Sequence, residues 1–331
     1  MVGFTDDSVL ESFRKMVLIR ALEEAICREY ANRNIRGPVH LSIGQEAMAV
    51  GVSTIARDDD VAVSTHRDHA HYLAKGGSLS ACIDELYGLE TGCSRGFGGS
   101  MHMFSRQVNF LGASAVLPGS MPISVGLGLA CKLNGTDAIC VGYTGDGASD
   151  EGSFYEALNL ASVLGSHVLF VCENNRLSTN TSIIDRQAQP DLVSKARAFG
   201  LDSEEADGVD VFNVAAAAAS LAEKARSGHP AMLVLTGDRL CSHVGPISSV
   251  PPLDFAGLID VSKDTATRDP IARCLHLITV TRPWLLDECR HLLLAVLDLI
   301  AAEFNRADSA FRQRNTLMGI AAPPPPKSHV V

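Results

Sequence analysis

The stretch from residue 138 to residue 175 constrains the fold more than any other. Two apolar runs, 138–143 and 167–172, are short enough to be buried strands. Between them, residues 150–164 place Phe154, Ala157, Leu158, Ala161 and Leu164 on one helical face. Strand, helix and strand in that order predict two parallel strands joined by a right-handed crossover, in a sheet covered by helices on both faces. Each run ends at a polar turn, Gly145-Asp146-Gly147 after the first and Asn174-Asn175 after the second. Neighbouring strands lie about 4.8 Å apart. The Asp146 carboxylate and the Asn175 carboxamide are therefore expected to reach one point beyond the carboxyl ends of the sheet, where such folds bind ligands.

One carboxylate, one amide oxygen and a backbone carbonyl form a sparse oxygen shell. Such a shell suits Mg²⁺, which takes oxygen ligands at about 2.0–2.1 Å and keeps positions for phosphate and water. Glycines at 145 and 147 let the backbone approach phosphates, and the start of helix 150–164 favours an anion. Gly-Asp-Gly by itself is usually only a turn, so the argument rests on the joint arrangement. The sequence lacks a Gly-x-x-x-x-Gly-Lys-Ser/Thr loop, which speaks against an unrelated Mg²⁺-dependent nucleotide-binding protein.

Around this unit the pattern predicts a helix from Thr5-Asp6-Asp7 to about residue 31, a loop at 36–45 and a small buried helix at 46–55. A strand at 61–64 runs into His66-Arg67-Asp68-His69-Ala70-His71. A helix at 79–87 precedes a glycine-rich loop at 92–105, which is either floppy or fitted to a ligand. Pro122 starts a helix to 133 whose Gly126, Gly128 and Ala130 call for close packing against another backbone. Residues 176–195 read as a mobile polar loop, 211–226 as a helix, 231–235 as a strand, and 270–305 as helical. Residues 1–320 then form one domain, followed by a tail at 321–331 whose four prolines predict an extended or disordered segment.

A net charge of −10 argues against a generic nucleic-acid binder. The nine cysteines include no Cys-x-x-Cys pair and mostly sit in apolar runs, as buried reduced thiols do. No leader pattern and no apolar run of membrane-spanning length is present, so a cytoplasmic protein with no membrane partner is expected. His66, His69 and His71 invite a zinc reading, but no cysteine or acidic set at the usual spacing accompanies them.

The run GDGASDEGSFYEALNLASVLGSHVLFVCENN resembles a thiamine-diphosphate motif. VHLSIGQEA at 39–47, STHRDHAH at 64–71, GGSMHM at 98–103 and NG at 134–135 follow in family order. Over residues 8–305 the chain is similar to the alpha subunit of the decarboxylating component of 2-oxo acid dehydrogenase complexes, of pyruvate, acetoin or branched-chain type. The resemblance implies an α/β thiamine-diphosphate-binding fold. It makes Asp146, Asn175 and the Leu177 carbonyl ligands of Mg²⁺, with Gly147 and Ala148 meeting the diphosphate through their backbone. His66 and Arg67 match a pair whose arginine grips the diphosphate, a task suited to a fixed guanidinium fork. His243 matches a histidine that reaches the diphosphate and the active centre, and His40 one that lines the substrate entrance. Ala115 and Leu117 match positions whose backbone meets the aminopyrimidine, with Val116 as the wedge that bends the cofactor. Glu46 matches a structural glutamate, and helix 126–130 a packing motif at a subunit interface.

The resemblance further implies that the glutamate activating the cofactor lies on a beta subunit. The chain is then inactive alone and completed as an α₂β₂ heterotetramer that acts on a small 2-oxo acid. The acceptor is a lipoyl group on an acyltransferase partner. One departure stands out. Where the family reads Arg-x-x-Gly-His-Ser and then Asp, residues 239–246 read Arg-Leu-Cys-Ser-His-Val-Gly-Pro. Val244 removes the serine that is phosphorylated in the family. The rewritten loop leaves a second expectation, a biosynthetic enzyme that transfers an acyl group or ligates carbon to carbon with a non-lipoyl acceptor. A non-catalytic interaction subunit that keeps the fold is a third, opposed by the intact Asp146, Asn175 and Arg67.

Overall fold

Residues 1, 3–31, 34–35, 37–259 and 268–319 are described in a computed structural model of the chain; the tail at 321–331 lies outside them. The helices are α1 (Asp6–Ala31), α2 (Glu46–Ser53), α3 (His69–Ala74), α4 (Leu79–Leu86), α5 (Ser120–Leu133), α6 (Gly152–Leu164), α7 (Ile183–Arg186), α8 (Leu192–Ala198), α9 (Val211–Arg226), α10 (Phe255–Ile259), α11 (Pro270–Thr281) and α12 (Leu286–Leu317). The strands are β1 (Val61–Thr65), β2 (Phe110–Ser114), β3 (Cys140–Gly145), β4 (Val168–Asn174), β5 (Leu177–Ser178), β6 (Thr181–Ser182), β7 (Asp202–Asp207) and β8 (Ala231–Thr236).

Six strands form one sheet in the order β2-β1-β3-β4-β8-β7, and every neighbouring pair is parallel. As the spacing of the two apolar runs predicts, β3 and β4 are neighbours, with Gly145 opposite Glu173. Alternation along the central strands sorts side chains onto two covered faces. Leu169 and Val171 of β4 and Leu233 and Leu235 of β8 join the core under α1, α2, α9, α11 and α12. Val168, Phe170 and Cys172, with Met232 and Val234, join the core under α5, α6 and α8.

Local chemistry explains the helix starts. Thr5 Oγ1 accepts from the Ser8 amide at 3.2 Å, and Asp210 caps α9 through the Phe212 and Asn213 amides. Asp269 caps α11, with Pro270 in the first turn. It also pairs with Arg20 of α1, which is bound in turn to Glu46 of α2, so one fully buried guanidinium ties three helices together. Along α12, Cys289, Leu293, Val296, Ile300, Phe304, Ala307 and Phe311 recur at steps of three and four and form a buried seam in the core that α1 shares. All nine cysteines are free. Among the described residues, no helix is long and apolar enough to cross a membrane.

Several sequence expectations need correction. The segment 176–195 carries the β5–β6 hairpin, α7 and the start of α8, because its polar side chains bond to one another and to the 146–150 turn. Strands β2 and β7 have no apolar run, since both are edge strands; the acidic β7 is a sequence an exposed edge tolerates. Helix α6 begins at Gly152, after a 3₁₀ turn at Asp146–Asp150. The C-terminal helix breaks at Arg282-Pro283 and then continues to Leu317. The loop at 92–105 is fitted to the protein itself: it wraps the buried carboxylate of Glu85. On α5 the two glycines differ. A Cβ on Gly128 would meet Ser166 Oγ at 2.6 Å and the His167 carbonyl at 2.7 Å, whereas one on Gly126 meets nothing within 4 Å.

Candidate active site

The strand order reverses between β1 and β3: the chain leaves β1 for β2 on one side and β3 for β4 on the other. A crevice opens at such a switch point beyond the carboxyl ends of the strands. Here it is a cavity of about 360 Å³. Strand β1 delivers Thr65, His66 and Arg67, and β3 delivers Thr144, Gly145 and the Asp146–Ala148 turn. Strand β4 delivers Glu173 and Asn175, and the hairpin delivers Leu177 and Ser178. His40 and Gln45 enter from the loop before α2, Arg239 and His243 from the segment after β8, and Ala115 and Leu117 from the turn after β2. The fold thus gathers eleven of the twelve residues singled out from sequence. Val116 is the exception: it stands at the tip of its turn, 77% exposed, outside the cavity wall.

Asp146 is buried, and Arg186 Nη2 donates to its Oδ2 at 2.6 Å while the same guanidinium pairs with Asp150. Burial pushes the Asp146 carboxyl up, and Arg186 offsets part of that rise. Asn175 Oδ1 accepts from the Leu177 amide at 3.1 Å, so the two residues stand side by side at the cavity wall. Gly147 leaves a cradle there, since a Cβ would lie 3.0 Å from Ser178 Oγ.

In the same cavity, His40, His66 and His243 pack edge to face, with ring centroids 4.3, 5.2 and 5.7 Å apart. Burial pushes His66 down to about 3, helped by His40 and Arg67. Burial and then Arg67 push His40 and His243 down to about 4. All three are neutral near pH 7. One nitrogen from each lies within 4.8 Å of the others, close enough to suggest a cation site. Arg67 and Arg239 line the same cavity, close enough to act on His40 and His243, and would repel a cation there, so the histidine cluster suits an anion. Arg67 is held by the carbonyls of Leu41 and His243, and Arg239 by those of Cys241 and Thr179.

Among the described residues, three buried polar atoms of the lining have no hydrogen-bond partner: Thr144 Oγ1, His40 Nδ1 and His243 Nδ1. Orphaned polar groups are costly in a finished interior, so the wall is built for a ligand that completes it. An oxygen-rich corner for a hard cation, beside a cationic wall for phosphate, fits a metal-bound diphosphate.

The remaining sequence candidates fall elsewhere. His69 bonds to Glu23 and Ser100, and His71 to Ser64 and Glu173, so the trio with His66 does not converge on a metal. His102 is exposed and contacts the Ala113 carbonyl. Glu46 faces Arg20 and stays out of the cavity. Sequence reasoning missed Gln45, Thr144, Glu173 and Arg186. The one available signal was a lone carboxylate, Glu173, at the end of an otherwise apolar strand.

A family model described as the dehydrogenase E1 component matches residues 14–314. The chain belongs to the dehydrogenase E1 component family. This E1 chain is 34% identical over 309 residues to the pyruvate dehydrogenase E1 component subunit alpha of Rhizobium meliloti, covering 92% of this chain and 87% of that one. It is 35% identical over 273 residues to the Rickettsia typhi protein of the same name, covering 82% of each. It is also 35% identical to the chloroplastic subunit alpha-3 of Arabidopsis thaliana, covering 81% of this chain and 63% of that one.

Proposed function

We propose that this chain is the alpha subunit of a thiamine-diphosphate-dependent 2-oxo acid dehydrogenase and that it holds the diphosphate end of the cofactor through Mg²⁺. The observation that carries the reading is the switch-point cavity, where Asp146, Asn175 and Leu177 share one lining with Arg67 and three neutral histidines. In this reading Asp146, Asn175 and the Leu177 carbonyl ligate Mg²⁺. Gly147 and Ala148 meet the diphosphate through their backbone, and Arg67, with His66 beside it, neutralises it. His243 and His40 face the reacting end and the incoming substrate. Ala115 and Leu117 support the aminopyrimidine. Val116, exposed in the single chain, becomes the wedge once a second subunit encloses it.

When bound, thiamine diphosphate supplies the nucleophilic carbon and the electron sink for decarboxylation. The chain's own residues bind, orient and shield it. The neutral histidines offer hydrogen bonds without competing with Arg67 for negative charge. The carboxylate that activates the cofactor would come from a beta subunit, in an α₂β₂ assembly. The assembly would sit in the cytoplasm and pass its acyl group to a lipoyl-bearing acyltransferase. Calorimetry with Mg²⁺ and thiamine diphosphate, on the chain alone and with its beta subunit, tests the reading. Absence of binding in both settings would sink it.

The loop at 239–246 favours a second reading of the acceptor. Val244 and Ile247 are 48% and 67% exposed, an apolar lip beside the cavity residue His243. A free aldehyde or acyl acceptor would suit such a lip. Decarboxylation of a panel of 2-oxo acids, with lipoyl domain or free aldehyde as acceptor, separates the two.

A further inference from the structure

A continuous line of hydrogen bonds runs from the interior of the sheet to Asn175. Ser64 Oγ lies 2.7 Å from His71 Nδ1, and His71 Nε2 lies 3.0 Å from Glu173 Oε1. Gln45 Nε2 donates to Glu173 Oε2 at 3.0 Å, Asn175 Nδ2 donates to Gln45 Oε1 at 3.1 Å, and the Leu177 amide donates to Asn175 Oδ1 at 3.1 Å. Ser64, His71, Gln45 and Glu173 are all at least nine-tenths buried. His71 is further clamped by stacking on Tyr143 at 3.7 Å.

We propose that Glu173 and Gln45 are positioning residues that fix which end of the Asn175 amide faces the cavity. Donors and acceptors run in one order along this line. Glu173 Oε2 accepts from the amino end of the Gln45 amide, which leaves Gln45 Oε1 facing Asn175. That oxygen requires the amino end of Asn175, which turns Asn175 Oδ1 to the other side, toward Leu177. The far end agrees: the Leu177 N–H also demands an oxygen. Asn175 Oδ1 keeps a second lone pair for a cation, and the inverted amide would present N–H groups to that cation.

This inference rests on the reading of Asn175 as a metal ligand, so the test carries a separate arm for that reading. Mg²⁺ binding in the presence of thiamine diphosphate is measured by calorimetry on the assembled protein after its metal has been stripped. Asp146→Ala tests the site itself; if it binds Mg²⁺ as tightly as the parent, the site reading fails. Given a loss there, Gln45→Met and Glu173→Gln test the relay. Outer partners of metal ligands typically contribute about tenfold to a hundredfold in affinity, and a loss of that size is expected for both variants. Gln45→Met keeps the Glu173 charge, so its loss distinguishes orientation from simple charge attraction. The exchange variant, Gln45→Glu with Glu173→Gln, restores the donor order. The carboxylate now at position 45 would accept from Asn175 and from the new amide at position 173, and the oxygen of that amide would accept from His71. Affinity within about threefold of the parent is expected for it. Full affinity in Gln45→Met and Glu173→Gln while Asp146→Ala loses binding would overturn the relay and leave the site reading standing.

Discussion

Two carboxylates, Glu85 and Asp146, are equally buried and differently served. Glu85 receives four backbone amides, from Ser94, Gly96, Gly98 and Gly99, at 2.7–2.9 Å. Its lone pairs are filled by a loop that exists to fill them; a Cβ on Gly92 would come within 2.5 Å of the carboxylate. Asp146 is held from one side by Arg186 and stands in a wall with three unpartnered polar atoms. A saturated polar knot is scaffold. An under-saturated one marks where something else binds.

Spoiling the knot around Glu85 should have the largest effect on folding. Glu85→Gln turns an amide donor toward backbone donors, and each unmet group costs about 1–3 kcal/mol. A loss of about 2–9 kcal/mol in urea unfolding is expected from two to three such groups, with cofactor affinity of the surviving folded fraction unchanged. Asp146→Ala should behave oppositely. Mg²⁺-dependent cofactor binding is expected to fall at least about a hundredfold, or about 2.8 kcal/mol. The thermal midpoint of the ligand-free chain should hold or rise, since a buried carboxylate has been removed.

The histidine wall adds a pH arm. The fold resists protonating His40, His66 and His243 until about 3–4, whereas an unfolded chain takes up those protons near about pH 6.5. The contribution of these three histidines to stability should therefore be flat above about pH 6.5 and decline as pH falls from there toward about 4, because the unfolded state then binds more protons. Urea midpoints at about pH 7.5 and about pH 5 check the sign, and replacing His66 with Asn should flatten the decline. The smallest effects separate the α5 glycines. Gly128→Ala should destabilise by about 1–3 kcal/mol, because backbone stands where the methyl would go. Gly126→Ala should stabilise the single chain by up to about 1 kcal/mol. A weakened assembly with the beta subunit in that variant would mark the bare side of α5 as contact surface.

The sequence was most legible where physics is local. Apolar runs at 138–143 and 167–172 and the helical stripe between them specified adjacent parallel strands, and with them one cavity lined by both Asp146 and Asn175. It was least legible where partners are distant. Glycines at 92–105 look the same whether they cradle a ligand or Glu85, and only tertiary contact distinguishes them. The acidic β7 is a strand because β8 lies beside it, not through its own preference. Arg186 looks like an ordinary loop cation until a hairpin and a short helix bring it to Asp146. Gln45 and Glu173 lie far apart along the chain, so no spacing rule joins them.

Arg20 carries a consequence for how the chain is made. Its helix is synthesised before the sheet, but Asp269 and the α12 seam that covers it emerge after the sheet is complete. Until then an apolar stripe and a cation meant for the interior stand uncovered on the nascent chain. Contacts this remote in sequence close slowly, so newly made molecules should lean on chaperones, and truncation before residue 268 should yield aggregates rather than a smaller working protein.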